Sequence, residues 1–113
     1  MQYNKLTFFI PSCLQQETGL LPTNLRVVRV PVVGHTQCNI QWYNAIDETM
    51  LCAGRMDRGT CTGDSGGPLV YDNVLYGITS WGEAKCGGGV LPSVYCKLAH
   101  SEVRDFIRGK TGI

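Results

Sequence analysis

The apolar residues of this chain come in short runs broken by glycine, proline and asparagine, and that punctuation limits the fold more than any other feature. A few apolar residues bounded by turn formers suit a strand, whereas an amphipathic helix needs apolar positions recurring at i, i+3 and i+4. Leu25 to Val33 reads as the first firm strand, with five valines among its nine residues. Arg26 and Arg29 point outward from it, and Pro31 marks an edge or a bulge. Gly34 ends the strand, and Thr36 is expected to cap a short helical turn running toward Trp42. Met50 to Ala53 reads as a brief buried strand stopped by Gly54. Pro68 to Tyr71 and Val74 to Trp81 flank Asp72-Asn73, a two-residue turn pair, which predicts a hairpin. Ser93 to Leu98 is another strand beyond Gly87-Gly88-Gly89. Glu102 to Arg108 is the one clear helix, with Ser101 as its N-cap, Val103, Phe106 and Ile107 as an apolar stripe, and Gly109 as its stop. Several short strands and a terminal helix predict an all-β fold, an antiparallel Greek-key β-barrel with a C-terminal α-helix.

At 113 residues the chain is long enough for one compact domain and too short for two ordinary ones. A net charge of +1 gives no electrostatic case for nucleic acid or a membrane surface as partner. No apolar run reaches the ~18 residues that span a bilayer. Six cysteines point to disulfides and to an oxidising, extracellular compartment. Zinc is the competing reading, but there is no C-x-x-C pair, and His35 and His100 stand at no ligand-like spacing. Neither a metal nor another cofactor is expected. Met1 to Leu14 carries one lysine, Lys5, and a short apolar patch, Leu6 to Pro11, without a clear cleavage site. A secreted composition thus comes without an export signal.

The most informative segment is Cys61-Thr62-Gly63-Asp64-Ser65-Gly66-Gly67-Pro68. A serine hydroxyl is a weak nucleophile unless a base takes its proton and donors stabilise the developing oxyanion. Flanking glycines let the backbone turn sharply and converge its N–H groups on one point. A bare Gly-Asp-Ser-Gly reads equally well as a simple turn. The segment also matches the G-x-S-x-G elbow of α/β-hydrolases, but that motif needs a helix directly after the serine, and Pro68 to Tyr71 reads as a strand.

Gly63 to Leu69 resembles the nucleophile signature of chymotrypsin- and trypsin-like serine endopeptidases. Cys52-Ala53-Gly54 before it, Ser80-Trp81-Gly82 after it, Pro92-Ser93-Val94-Tyr95 and the terminal helix follow the order of that family. The resemblance covers about Leu20 to Ile107, the C-terminal half of such an enzyme. It implies that Ser65 attacks the scissile carbonyl and that the backbone N–H groups of Gly63 and Ser65 form the oxyanion hole. Ser80-Trp81-Gly82 is implied to pair with a peptide or protein substrate as an added strand, with Trp81 walling the specificity pocket. Asp64 is implied to act as an activation switch by pairing with a newly cut chain terminus. The resemblance further implies bridges Cys38–Cys52 and Cys61–Cys86, each worth ~3 kcal/mol on a loop-entropy basis. Tyr71 stands where the family often has a cysteine, so Cys13 lacks its expected partner. A Cys13–Cys96 bridge and two free or intermolecular thiols both remain open.

The pocket floor falls on Gly59, where trypsin-like members carry an aspartate, so a basic side chain would be buried unpaired. Gly82 leaves the mouth open, Ser93 narrows the base, and Thr60 and Tyr95 line the remaining wall. The pocket expected is neutral, for a medium or large apolar side chain, as in chymotrypsin or elastase.

A working member also needs a histidine base and an orienting aspartate from the preceding barrel. His35 follows a strand of the second barrel, His100 reads as a capping-region residue, and Asp47 and Asp105 read as surface charges. Met1 to Cys13 lacks the Gly-Trp-Gly entry typical of the family. Residues 1–19 are therefore set apart as divergent, poorly ordered or non-native, and 20–113 as the C-terminal barrel. The chain reads as a fragment, inactive alone, whose natural partner is the missing N-terminal barrel. The alternative is a non-catalytic homologue that uses the barrel as a binding module.

Overall fold

Residues 6–9, 27–54, 65–83 and 90–113 are described by the structure, a computed structural model. The elements are β1 (Leu6–Phe9), β2 (Val27–Val30), β3 (Val32–Val33), α1 (His35–Gln41), β4 (Met50–Ala53), β5 (Pro68–Tyr71), β6 (Val74–Trp81), β7 (Ser93–Lys97) and α2 (Ser101–Thr111). The strands form one antiparallel sheet in the order β2-β1-β5-β6-β7-β4-β3. Its two outermost strands are a single stretch of chain interrupted at Pro31: β2 pairs with β1, and β3 pairs with β4. The order therefore runs round and meets itself at Pro31. Proline has no N–H for a ladder; the Pro31 carbonyl instead accepts the Gly54 N–H at 2.8 Å. Pro31, expected to mark an edge or a bulge, is the corner where the chain trades one neighbour for the other. The pairings β1–β5 and β4–β7 join strands remote in sequence, as the Greek-key expectation requires.

Strand β1 lies inside the segment 1–19 that the sequence set apart. Leu6–Phe9 pairs with β2 on one side and β5 on the other.

Alternation along β4 and β7 divides the core into two clusters, because successive strand residues face opposite sides of a sheet. Ala53 and Tyr95 pack with Val30 and Leu69, flanked by Leu51, Val32 and Tyr76. Cys52 and Val94 pack with Cys38 and Ile46, flanked by Met50, Val33, Trp42 and Trp81. The second cluster is the face covered by α1, and the Cys38–Cys52 disulfide, with Cα atoms 6.4 Å apart, ties that helix to β4. This is one of the two bridges the family resemblance implies. Cys96 carries a free, half-buried thiol.

Both hairpin residues have positive φ, Asp72 at 50° and Asn73 at 61°, which is the turn that strand twist favours. The helix ends differ from expectation. Thr36 lies within α1, whose N-cap is Gly34 without a side-chain bond. His100, not Ser101, caps α2, its Nδ1 accepting the Glu102 N–H at 3.2 Å. The helix then runs through Gly109 and stops at Gly112, which takes φ +77°. Glu102 in the first turn and Arg108 and Lys110 in the last complement the helix dipole.

Candidate active site

Ser65 is exposed on a tight turn directly before β5. Gly66 follows it at φ +85°, a left-handed conformation that costs an ordinary L-residue roughly 1–2 kcal/mol. That conformation lets the Gly66 N–H donate to the Thr79 carbonyl at 2.9 Å, while the Thr79 N–H donates back to the Gly67 carbonyl at 2.9 Å. The serine turn is thus fastened to β6 one residue before Ser80-Trp81-Gly82.

Between Thr79 and Trp81 the register of β6 against β7 slips, so Ser80 falls at a bulge, where it is exposed. Bulges of this kind re-aim side chains and interrupt pairing. Past the bulge, Gly82 faces Ser93: a Cβ built on Gly82 would lie 3.5 Å from Ser93 Cα and 3.6 Å from its Oγ. Ser93 itself is buried. The Glu83 carboxylate accepts the Leu91 N–H.

Trp81 is half-buried, and its ring forms a T-shaped pair with that of Trp42, centroids 4.8 Å apart. Tyr95, expected on the pocket wall, is wholly buried with Val30, Ala53 and Leu69. Two neighbours escaped the sequence reading. Thr79 is buried with its Oγ1 lacking a hydrogen-bond partner among the described residues. Trp42 backs Trp81, and its only sequence signal was a tryptophan close behind a bridging cysteine.

Gly59, Thr60, Cys61, Gly63, Asp64, Cys86 and Cys13 lie outside the described residues, and with them the oxyanion hole at Gly63, the Asp64 switch, the pocket floor and the Cys61–Cys86 bridge. His35 opens α1 and His100 caps α2. Both line a cavity with Glu48 and Lys97, and Ser65 is not among its lining residues. Asp47 and Asp105 are exposed, as expected. The Asp47 carboxylate accepts the hydroxyl and the N–H of Thr49, and these bonds hold its pKa below the ordinary value of 3.8, with smaller help from His100 and His35.

Residues 12–107 match the protein-family model described as Trypsin. The chain belongs to the trypsin family. Its trypsin-family relatives include prostatic glandular kallikrein-6 of Rattus norvegicus, 47% identical over 79 residues that make up 68% of this chain and 30% of the relative. Kallikrein-15 of Homo sapiens is 40% identical over 82 residues, 71% of this chain and 32% of that protein. Among solved structures, neuropsin, a serine protease of mouse brain, superposes with a TM-score of 0.85 at 32% identity, covering 97% of this chain and 49% of neuropsin. The chain therefore spans about a third of its kallikrein relatives and half of neuropsin. The barrel with a terminal α-helix is the chymotrypsin-like fold of this family.

Proposed function

We propose that the chain carries the nucleophile and the specificity pocket of a secreted serine endopeptidase. The observation that supports this reading is the exposed Ser65 on a glycine-built turn, fastened by paired hydrogen bonds to the strand that ends in Ser80-Trp81 just before Gly82. In this reading Ser65 Oγ attacks the scissile carbonyl while a histidine from a preceding barrel takes its proton. The N–H groups of Gly63 and Ser65 stabilise the oxyanion. The histidine returns the proton to the leaving amine, and water then releases the acyl group from Ser65. Ser80 to Gly82 holds the substrate backbone as an added strand, and Asp64 switches the loop on by pairing with a cut chain terminus.

The pocket is neutral. Gly59 offers no carboxylate for a basic side chain, and leaving such a charge unpaired costs roughly several kcal/mol. Gly82 leaves the entrance clear, while the Ser93 side chain opposite narrows the neck. Residues 20–113, together with strand β1, form the second barrel of the enzyme, and alone they do not cleave peptides. His35 and His100, the two histidines of the chain, sit together around Lys97 and Glu48, so neither serves Ser65 as base. The disulfide Cys38–Cys52 supports an oxidising, extracellular setting.

A chimera tests the reading, with this chain joined to the half of neuropsin that it does not match. The chimera is expected to cleave peptides after leucine or phenylalanine at least about 100-fold faster than after arginine. Cleavage after arginine instead sinks the neutral pocket. A folded chimera that binds peptides and never cuts them transfers the chain to the binding-module reading.

A further inference from the structure

Helix α2 leans on its own ends more than on the barrel. None of its eleven residues is buried; Val103 and Ile107 are half-buried, and Phe106 is 65% exposed. Isolated helices shorter than roughly 12–15 residues are marginal in water, and α2 also carries Gly109, a poor helix former. Arg104 Nη2 donates to the Ile113 carbonyl at 3.0 Å, and Lys110 Nζ lies 5.9 Å from the Phe106 ring centre. Both contacts stay within the helix's own segment.

The two caps differ in chemistry. At the C-terminal end the Gly112 N–H donates to the Arg108 carbonyl at 2.9 Å, a backbone bond that does not titrate. At the N-terminal end His100 is extended, φ −65° and ψ 137°, and its Nδ1 accepts the Glu102 N–H at 3.2 Å. A backbone N–H only donates, so Nδ1 carries no proton and the capping ring is neutral, with its hydrogen on Nε2. Protonation turns both ring nitrogens into donors and removes the acceptor. It also sets a positive charge at the positive end of the helix dipole. Serine and asparagine caps keep their oxygen at any pH near neutrality, whereas an ordinary imidazole titrates near about pH 6.5.

Charged groups from three other elements stand around this ring. His35 opens α1, Glu48 lies in the turn before β4 with Asp47 beside it, and Lys97 ends β7. Glu102 and Arg104 belong to α2 itself. Carboxylates, lysine and arginine hold their charges between pH 8 and pH 5. Only His35 titrates in the same window, so it is the one group that must be separated from His100.

We propose that His100 is a pH-sensitive latch on the C-terminal helix. The neutral ring closes the first turn of α2, and protonation opens it. The capped helix binds one proton fewer than the uncapped one, so the helix loosens as pH falls through the titration of the ring. No residue of the Ser65 site lies in α2, so the latch is independent of the peptidase reading.

The test is amide exchange measured by NMR on the isotope-labelled chain, with its Cys38–Cys52 bridge formed, from pH 8 to pH 5. After correction for the intrinsic rate at each pH, the protection of Arg104 and Asp105 is expected to fall about fivefold, the loss of one N-cap. The midpoint should coincide with the titration of the His100 ring signals, while Val94 and Tyr95 in β7 keep their protection. His100→Asn supplies a cap that does not titrate and should hold the helix at both ends of the range. His35→Gln should leave the fall intact. Protection of Arg104 and Asp105 that is steady with pH overturns the latch, as does a fall that survives His100→Asn. So does a fall that His35→Gln abolishes, or one shared equally by Val94 and Tyr95.

Discussion

The Trp42 and Trp81 rings meet in a T-shaped pair with centroids 4.8 Å apart and planes at 75°, while Trp42 Nε1–H donates to the Pro92 carbonyl at 3.0 Å. One side chain from the end of α1 thus braces both strands that flank the neck between Gly82 and Ser93. Trp42→Phe keeps an aromatic edge and loses the hydrogen bond, so it should destabilise the fold by about 1 kcal/mol. Trp42→Ala loses both contacts and should cost about 2–3 kcal/mol. Urea unfolding followed by circular dichroism measures both. Equal midpoints for wild type and Trp42→Ala would show that the brace carries no weight.

Gly77 is buried on β6 where a methyl group has no room. A Cβ there would lie 3.1 Å from Tyr95 Cβ, 3.3 Å from the Cys96 carbonyl oxygen and 3.4 Å from a Leu69 methyl. Two of these neighbours are backbone or first side-chain atoms and cannot swing aside. Gly77→Ala should therefore destabilise by about 1–3 kcal/mol, read as a lower urea midpoint with an unchanged slope.

Asp47 gives the fold a pH-dependent contribution of known sign. Its hydrogen bonds from Thr49 lower its folded-state pKa, so its contribution is complete above the unfolded carboxyl value and fades as pH falls through the folded one. The stability gap between wild type and Asp47→Ala should be constant from pH 7 to pH 5 and shrink below about pH 4. Thr49→Val, which removes the hydroxyl donor, should weaken that pH dependence. A gap that widens toward low pH contradicts the assignment.

Local chemistry made some of this legible in the sequence and distance hid the rest. The turn at Asp72-Asn73 was readable because both residues tolerate positive φ, and β4 and β6 run between the residues expected, Met50–Ala53 and Val74–Trp81. The α2 boundaries slipped because a histidine nitrogen caps as well as a serine hydroxyl, and because a glycine inside a helix costs only about 1 kcal/mol. Strand β1 was missed because β2 and β5, its partners, lie far along the chain and nothing in Leu6–Phe9 names them. The site divides the same way. Ser65, Trp81, Gly82 and Ser93 stood out by motif, whereas Thr79 and Trp42 matter only through their tertiary neighbours.

The central claim is that Ser65 is a nucleophile whose base must come from another barrel. The most direct measurement is covalent labelling of Ser65 by a fluorophosphonate, comparing the chain alone with the chain joined to the unmatched half of neuropsin. The account predicts negligible labelling of the chain alone, rapid labelling of the chimera, and none after Ser65→Ala. Rapid labelling of the isolated chain, or an inert Ser65 in a folded, peptide-binding chimera, contradicts it.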